Sequence, residues 1–127
     1  RESIFKKKKN YLILEVILKL KEREREKIKK KMEKFIEYKK MSQPLDKFSA
    51  GCVFKNLPGI STGKLIETLG FKGKKIGKIM VSEKHANFFL NLGQGKSSDF
   101  LRLKKMVKQE VKKRFKINLE DEIIFLR

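Results

Sequence analysis

The feature that most constrains the fold is a nearly continuous apolar run at residues 11–20, YLILEVILKL. A run of β-branched and long aliphatic residues of this length predicts a β-strand that is buried on both faces. The run is too short for a membrane span, which needs roughly 18 to 20 apolar residues, and no signal peptide opens the chain. We therefore expect a soluble intracellular protein in which other elements cover this strand.

The next segment predicts an amphipathic helix over residues 22–41, because apolar residues recur at every third to fifth position among Lys and Glu. Pro44 ends this helix, since the residue before a proline avoids the α region. The composition then changes to Ser, Gly and Asn over residues 49–63, and polar backbone of this kind often holds binding or catalytic residues. We place a domain boundary after Leu45.

The second half of the chain predicts a short helix, two short strands, a long helix and a final strand. Ser61 or Thr62 caps the short helix, and Gly70 supplies its left-handed stop. Alternating or continuous apolar runs mark the strands, and apolar residues at every third or fourth position mark the long helix. The two strands, the long helix and the final strand are predicted at residues 76–81, 86–91, 97–116 and 117–127.

The net charge of +19 is the usual sign of a nucleic-acid-binding domain, but its distribution argues against one. Residues 1–45 carry a net +9 and residues 46–127 a net +10, so no basic stripe stands out. Lys outnumbers Arg by 28 to 6, whereas bidentate contacts to guanine and phosphate favour Arg. A solvated Lys-rich surface is the favoured interpretation. The alternative is a small basic nucleic-acid-binding α+β module, whose affinity falls steeply with salt.

Few residues of the chain carry chemistry. The single Cys and single His cannot build a zinc site, so no metal is expected. Cys52 follows Gly51, which lets a ligand approach the main chain, but a lone Cys is more often a small core residue. His85 and Glu122 are each more often structural or solvated than catalytic. The later glycines match neither a dinucleotide fingerprint nor a phosphate loop, and from these residues alone the function stays open.

The order and spacing of six strings resemble one known family. The strings are RESIF at 1–5, QPL at 43–45, SAGCVFKN at 49–56, GKLIETLGFKGKKIG at 63–77, VSEKHANFFLN at 81–91 and INLEDEI at 117–123. Together they resemble the C-terminal half of the UDP-N-acetylenolpyruvoylglucosamine reductases, the MurB flavoenzymes, in the shorter branch of that family. The match extends over essentially all 127 residues.

This resemblance implies an α+β fold in two parts. Residues 1–45 would be the last strand and helix of an FAD-binding domain, and residues 46–127 the two-layer substrate-binding domain. The implied activity belongs to peptidoglycan precursor synthesis in the cytoplasm, where NADPH reduces a bound FAD. The flavin then passes hydride to the double bond of UDP-N-acetylglucosamine enolpyruvate, and the product is UDP-N-acetylmuramate.

The resemblance also assigns three catalytic residues, Arg1, Cys52 and Glu122. Cys52 takes the place of the family's serine, which gives a proton to the substrate after hydride arrives. A thiol can perform this step, because its reference pKa of about 8.5 makes it a stronger acid than an alcohol. Arg1 and Glu122, the latter chosen over Glu120, would polarise the substrate carboxylate and stabilise the enolate, with Arg1 as the cation and a protonated or hydrogen-bonded Glu122 as the donor.

Four further residues align with positions that contact the UDP-sugar or lie against it: Gly51, Asn56, Lys72 and His85. Lys72 would meet the diphosphate as a point charge, and His85 stands where a glutamine also occurs in the family. The sequence departs from the family pattern at three more positions. Leu57, Thr62 and Lys78 stand where Pro, Ala and Gly are usual.

The chain starts at Arg1 without an initiator Met, and no glycine-containing pyrophosphate loop of the family's FAD-binding domain precedes it. We therefore expect a piece of a longer protein, whose partner is the missing FAD-binding domain. Alone, the chain would bind FAD and NADPH poorly, and the strand at 11–20, lacking its sheet, would promote association. A degenerate fragment that keeps the fold without activity is the third interpretation.

Overall fold

The computed structural model describes residues 3–7 and 10–125. It divides the chain into two compact units, Arg1–Met32 and Glu33–Arg127. The first unit holds a single helical turn, α1 (Ile4–Lys7), an irregular stretch over residues 11–24, and the beginning of a long helix that continues into the second unit. Within the described ranges, every buried apolar residue of the core belongs to the second unit.

The predicted buried strand at residues 11–20 is wrong for this structure. All ten residues are exposed, and Leu14 and Ile17 each keep 88% of their accessible surface. A strand persists only when a neighbouring strand takes up its main-chain hydrogen bonds. The sheet of the described residues does not include this segment, so its apolar pattern has no sheet to complete.

The helix α2 (Arg25–Ser42) confirms the amphipathic helix that was predicted over residues 22–41. Pro44 follows its end, as predicted, and is buried. The apolar side chains of the helix are nevertheless exposed, Phe35 to 58% and Met41 to 79%. The apolar spacing in this segment therefore predicts the helix correctly, but it does not predict that these apolar side chains are buried.

The second unit has the predicted α+β fold, with an antiparallel four-stranded sheet, a long helix packed on the sheet and a shorter helix packed on the long one. Along the chain its remaining elements are β1 (Phe48–Cys52), α3 (Thr62–Thr68), β2 (Lys75–Ile76), β3 (Ile79–Val81), β4 (Phe88–Asn91) and α4 (Ser97–Phe115). The strand order is β1-β4-β3-β2, so β4 pairs with both β1 and β3. β1 and β2 form the two edges of the sheet.

The core lies between one face of this sheet and the helices. α4 contributes Leu103, Val107 and Val111, which recur at every fourth position and are fully buried. The sheet contributes Val81 and Phe89, which pair with each other across β3 and β4 and therefore lie on the same face. This spacing explains why α4 was readily predicted from the sequence.

Residues 76–81, predicted as one strand, instead include the turn of a hairpin that joins β2 to β3. Gly77 lies in the turn with φ +56, a left-handed conformation that glycine adopts without steric cost. The strand predicted at 86–91 is confirmed in its second part as β4. The sequence did not predict β1, because FSAGC has few β-branched or aromatic residues.

The final strand predicted at residues 117–127 is wrong for the described part of that range. Residues 117–125 form no strand, and a single bridge joins Asp121 to Phe54. Residues 126 and 127 lie outside the described residues. The apolar side chains of this segment pack on the core instead of forming a strand, and Leu119 is buried there.

The predicted helix ends agree with the structure. Ser61 is the N-cap of α3, and its hydroxyl accepts a hydrogen bond from Lys64 N at 3.4 Å. Gly70 takes φ +70 after α3, and Lys116 takes φ +60 as the C-cap of α4. Among the helices in the described part of the chain, none combines the length and apolarity that crossing a membrane requires.

Candidate active site around Cys52

A β-bulge in β1 determines the direction of Cys52. Ser49 pairs with Leu90 and Cys52 with Phe88, so three steps along β1 match two steps along β4. Gly51 takes φ +80 within this bulge. Without the extra residue, the alternation of the strand would turn Cys52 toward the core. The bulge therefore sets this half-buried thiol on the face of the sheet that lies away from the core helices.

Asn87 fixes the residues that follow Cys52. Its side chain is fully buried, its Oδ1 accepts a hydrogen bond from Phe54 N at 3.0 Å, and its Nδ2 donates to Phe54 O at 2.8 Å. Its main-chain carbonyl accepts a hydrogen bond from Val53 N at 2.8 Å. Three hydrogen bonds from one buried residue therefore hold the main chain next to Cys52.

The main chain of Glu122 contacts the same segment. Its N–H donates to Val53 O at 2.9 Å, and Lys55 N donates to Glu120 O at 2.9 Å. Because Val53 follows Cys52 directly, two of the predicted catalytic residues are neighbours across this contact. The Glu122 residue is half-buried, whereas the Glu120 side chain is 73% exposed and pairs with Lys55 Nζ at 3.1 Å.

Thr62, the first residue of α3, joins the same segment to the helix. Its fully buried side chain donates from Oγ1 to Lys55 O at 2.7 Å, and its N–H donates to Asn56 Oδ1 at 3.1 Å. Asn56 itself is exposed, and its Nδ2 makes no hydrogen bond to a described residue. This amide group is therefore available as a donor to a ligand.

His85 packs on the first turn of α3. A Cβ added at Gly63 would come within 2.9 Å of His85 Cε1, so the ring occupies the space that glycine leaves. Asn87 N donates to His85 Nδ1 at 3.2 Å, which leaves the proton of the neutral ring on Nε2. Burial of the ring lowers the pKa of His85, a main-chain hydrogen bond opposes this effect, and the charge of Lys72 adds to the lowering.

Lys72 is held next to this region by an acidic partner. Its Nζ pairs with Glu67 Oε1 at 2.5 Å, and its side chain is 32% exposed. A cleft of about 250 Å³ beside them is lined by Ser42, Ser61, Gly63, Lys64, Glu67, Lys84, His85 and Ala86. Hydroxyl groups, ammonium groups and a neutral imidazole are suited to an anionic or sugar ligand.

The structure thus arranges the predicted site residues in two groups. Gly51, Cys52, Asn56 and Glu122 belong to one, and Lys72 and His85 to the other. Asn87 connects them, because its side chain holds Phe54 while its N–H donates to His85. Arg1 lies outside the described residues.

The positioning roles of two residues, Asn87 and Thr62, were not predicted from the sequence. Asn87 was not considered, although a polar residue inside the apolar string ANFFLN is a usable signal, because a buried amide needs hydrogen-bond partners. Thr62 was noted as a helix cap and as a departure from the family's alanine. Its hydroxyl makes a hydrogen bond to Lys55 O that alanine could not make.

A larger cleft of about 470 Å³ lies on the core side of the sheet. Its apolar lining includes Phe48, Ile79, Phe89, Phe100 and Phe125. None of the predicted site residues in the described part of the chain lines it. Its polar lining is limited to groups such as Lys96, Ser49 and Ser97, so the cleft is better suited to hold an apolar group than to bind a nucleotide sugar.

The described residues can be compared with what FAD and NADPH require. Among the described residues, apart from Gly51 and its two chain neighbours, no heavy atom lies within 4 Å of the position that a Cβ would take at Gly51, so a planar group could approach the main chain there. Gly70 and Gly73 follow α3 and do not open a helix, so they form no phosphate cradle. The space at Gly51 thus admits a planar group next to the main chain, whereas Gly70 and Gly73 do not fit a dinucleotide pyrophosphate.

Comparison with known proteins gives consistent matches. A family model described as "UDP-N-acetylenolpyruvoylglucosamine reductase, C-terminal domain" matches residues 43–126. The UDP-N-acetylenolpyruvoylglucosamine reductase of Fervidobacterium nodosum is 42% identical over 124 residues, which cover 97% of this chain and 40% of the relative. UDP-N-acetylenolpyruvoylglucosamine reductase 2 of Symbiobacterium thermophilum is 41% identical over 112 residues, covering 88% of this chain and 36% of the relative.

A solved structure agrees with these matches. The crystal structure of UDP-N-acetylenolpyruvylglucosamine reductase (MurB) from Thermus caldophilus has a TM-score of 0.68 and 42% identity to this chain. The similarity covers 82% of this chain and 37% of that protein, so the chain spans 36% to 40% of the length of these three relatives. Since the family model matches more than half of it, the chain belongs to the family of UDP-N-acetylenolpyruvoylglucosamine reductase C-terminal domains.

Proposed function

We propose that the chain is the substrate-binding and proton-donating half of a UDP-N-acetylenolpyruvoylglucosamine reductase. The substrate is UDP-N-acetylglucosamine enolpyruvate, and the product, UDP-N-acetylmuramate, enters peptidoglycan synthesis in the cytoplasm. Residues 46–127 are the substrate-binding domain, and residues 1–45 are the end of an FAD-binding domain. The observation that carries the proposal is the hydrogen bond from Glu122 N to Val53 O, which brings the main chain of Glu122 within one residue of Cys52.

Cys52 is the proton donor of the proposed reaction. When bound, FAD that NADPH has reduced supplies the hydride for one carbon of the substrate double bond. Cys52 gives the proton to the other carbon, and the resulting thiolate regains a proton from water. As this happens, Arg1 supplies a positive charge and the carboxyl group of Glu122 acts as a hydrogen-bond donor, and both stabilise the negative charge that develops on the substrate.

The remaining residues bind the UDP-sugar. Asn56 Nδ2 and His85 Nε2 are hydrogen-bond donors, and the lowered pKa of His85 keeps its ring neutral near pH 7. Lys72 meets the diphosphate, and its ion pair with Glu67 holds the ammonium group in place before the ligand arrives. Gly51 allows the substrate to lie against the main chain next to Cys52.

The test joins this chain to the N-terminal part of the Fervidobacterium nodosum relative that it does not match. The joined protein is assayed for NADPH oxidation that depends on UDP-N-acetylglucosamine enolpyruvate, and the product is identified by its mass. Cys52→Ser and Cys52→Ala are measured in parallel. We expect Cys52→Ser to retain activity and Cys52→Ala to lower kcat by about 10²-fold or more, with KM little changed, because proton transfer is lost and binding is kept.

Three results would contradict the proposal in different ways. If the joined protein binds flavin and is reduced by NADPH but never reduces the substrate, the chain is an inactive relative. If Cys52→Ala turns over as fast as the unmodified protein, Cys52 is not the proton donor. Binding of DNA or RNA whose logarithm of affinity falls linearly with the logarithm of salt concentration would instead favour the basic nucleic-acid-binding module.

A further inference from the structure

A set of charged contacts anchors the C-terminal segment on α4. Asp121 Oδ2 accepts a hydrogen bond from Lys104 Nζ at 2.6 Å, and Asp121 Oδ1 accepts one from Lys108 Nζ at 3.1 Å. The two lysines lie four residues apart on one face of the helix, so both ammonium groups reach one carboxylate. The side chains of Lys104 and Asp121 are only 14% and 27% exposed. Such a partly buried pair is less screened than a surface ion pair.

Asp121 is anionic under ordinary conditions. Its partial burial raises the pKa of the carboxyl group, but the hydrogen bonds and positive charges of Lys104 and Lys108 together outweigh burial, so the net pKa is lowered. The carboxylate therefore stays paired with both lysines throughout the neutral range.

Asp121 lies between the two residues that attach the C-terminal segment to the Cys52 segment. Asp121 lies between Glu120, whose carbonyl accepts from Lys55 N, and Glu122, whose N–H donates to Val53 O. In the described residues 117–125, these are the two main-chain hydrogen bonds to the Cys52–Asn56 segment, with no strand ladder to reinforce them. Side chains therefore help to fix the register of Glu122: Leu119 and Ile123 pack on the core, and Asp121 adds a charged anchor beside Glu122 itself.

Lys104 contacts the chain on both sides of Glu122. Its Nζ binds Asp121 on one side and lies 4.1 Å from the centroid of the Phe125 ring on the other. The Phe125 ring also packs against Phe100 of α4, with 6.2 Å between the ring centroids. α4 thus holds the residues that flank Glu122 on either side.

We propose that Asp121, held by Lys104 and Lys108, is a positioning residue that fixes Glu122 beside the Cys52 segment. The proposal rests on the proposed function for the role of Glu122, but the placement itself is independent of activity. Asp121 acts through the main chain of Glu122 and does not touch the substrate.

The first experiment uses the chain itself and measures amide hydrogen exchange of Glu122 and Lys55 by NMR. Asp121→Asn removes the charge, Asp121→Glu keeps it, and Glu120→Gln is the matched control, since it neutralises an exposed carboxylate on the same segment. We expect Asp121→Asn to speed exchange at Glu122 by about tenfold, while amides of Val107 and Val111 stay protected. Asp121→Glu should restore most of the protection, and Glu120→Gln should leave it unchanged.

The second experiment measures kcat and KM in the joined protein. Asp121→Asn should lower kcat by about tenfold with little change in KM, because a displaced Glu122 stabilises the transition state less. Unchanged exchange at Glu122 in Asp121→Asn, or an equal effect of Glu120→Gln, would overturn the proposal even in an active enzyme. If the unmodified joined protein is inactive, the proposed function fails while the exchange data still decide the placement.

A second variant is used if Asp121→Asn does not fold. Lys108→Gln removes only the longer of the two contacts to Asp121, and we then expect a smaller increase in amide exchange at Glu122.

Discussion

Asn87 makes both side-chain hydrogen bonds of its amide to the main chain of Phe54, 33 positions away, at 3.0 and 2.8 Å. A side chain in this arrangement takes the place of a neighbouring strand, since it satisfies one N–H and one C=O of the same residue. The main-chain N–H of Asn87 also donates to His85 Nδ1. The positions of Cys52 and His85 are therefore coupled through a residue that has no chemical role of its own.

Replacement of Asn87 should be among the costlier single changes in this fold. Asn87→Ala leaves the buried N–H and C=O of Phe54 without partners, and we expect the free energy of unfolding to fall by about 2 to 4 kcal/mol. Urea denaturation followed by circular dichroism measures this change. Asn118→Ala, at an exposed position, is the control and should stay within about 0.5 kcal/mol of the unmodified chain. Equal effects of the two changes would show that the Asn87 contacts to Phe54 are not stabilising.

The hydroxyl of Thr62 can be tested with a matched pair in one helix. Thr62→Val keeps the shape and removes the bond to Lys55 O, and we expect a loss of about 1 to 2 kcal/mol in the free energy of unfolding. Thr68→Val also removes a hydroxyl bonded to a carbonyl, that of Lys64, but at an exposed position of α3. It should change stability by less than about 0.5 kcal/mol. Thermal unfolding of both variants gives the comparison, and a larger loss for Thr68→Val would contradict it.

Because the chain has a single histidine, the titration of His85 can be followed without overlap from other imidazole groups. Because burial lowers the pKa of His85 in the folded state, the unfolded chain takes up the proton first as the pH falls. The stabilisation from the neutral ring is therefore complete above the ordinary pKa of 6.5 and is lost as the pH falls through the folded-state pKa. The NMR signal of the Cε1 proton should titrate with a midpoint below 6.5. His85→Gln should remove the part of the stability change that falls in this window, and a midpoint at or above 6.5 would contradict the prediction.

The helices were predictable from the sequence because their signals are local. The apolar period of α4 and the capping group at Ser61 depend on residues within a turn or two of each other. A helix satisfies its own hydrogen bonds, so a correct local pattern is enough to specify it.

The strands were less predictable because a strand depends on its neighbour. β1 has an unremarkable sequence and forms because β4 pairs with it. Residues 11–20 have a strong strand pattern and form no strand, because the sheet does not pair with them. Residues 117–125 gain one bridge and no ladder, since their place is decided by Leu119 in the core and by the lysine contacts of Asp121.

The candidate site was predictable only in part for the same reason. The types and spacing of Cys52, Glu122 and His85 could be found in the sequence through their resemblance to a family. The residues that hold them in place act from distant parts of the chain: Asn87 on Phe54, and Lys104 on Asp121. Such contacts leave no periodic signal in the sequence, and only the folded chain shows which partners meet.

The exposed run at residues 11–20 bears on how long this polypeptide survives in a cell. Proteases and chaperones act on apolar segments that a folded protein would normally cover, and seven of these ten residues are large aliphatic side chains with more than half of their surface in water. We expect that covering this run would protect the chain from both, independently of the chemistry proposed for Cys52.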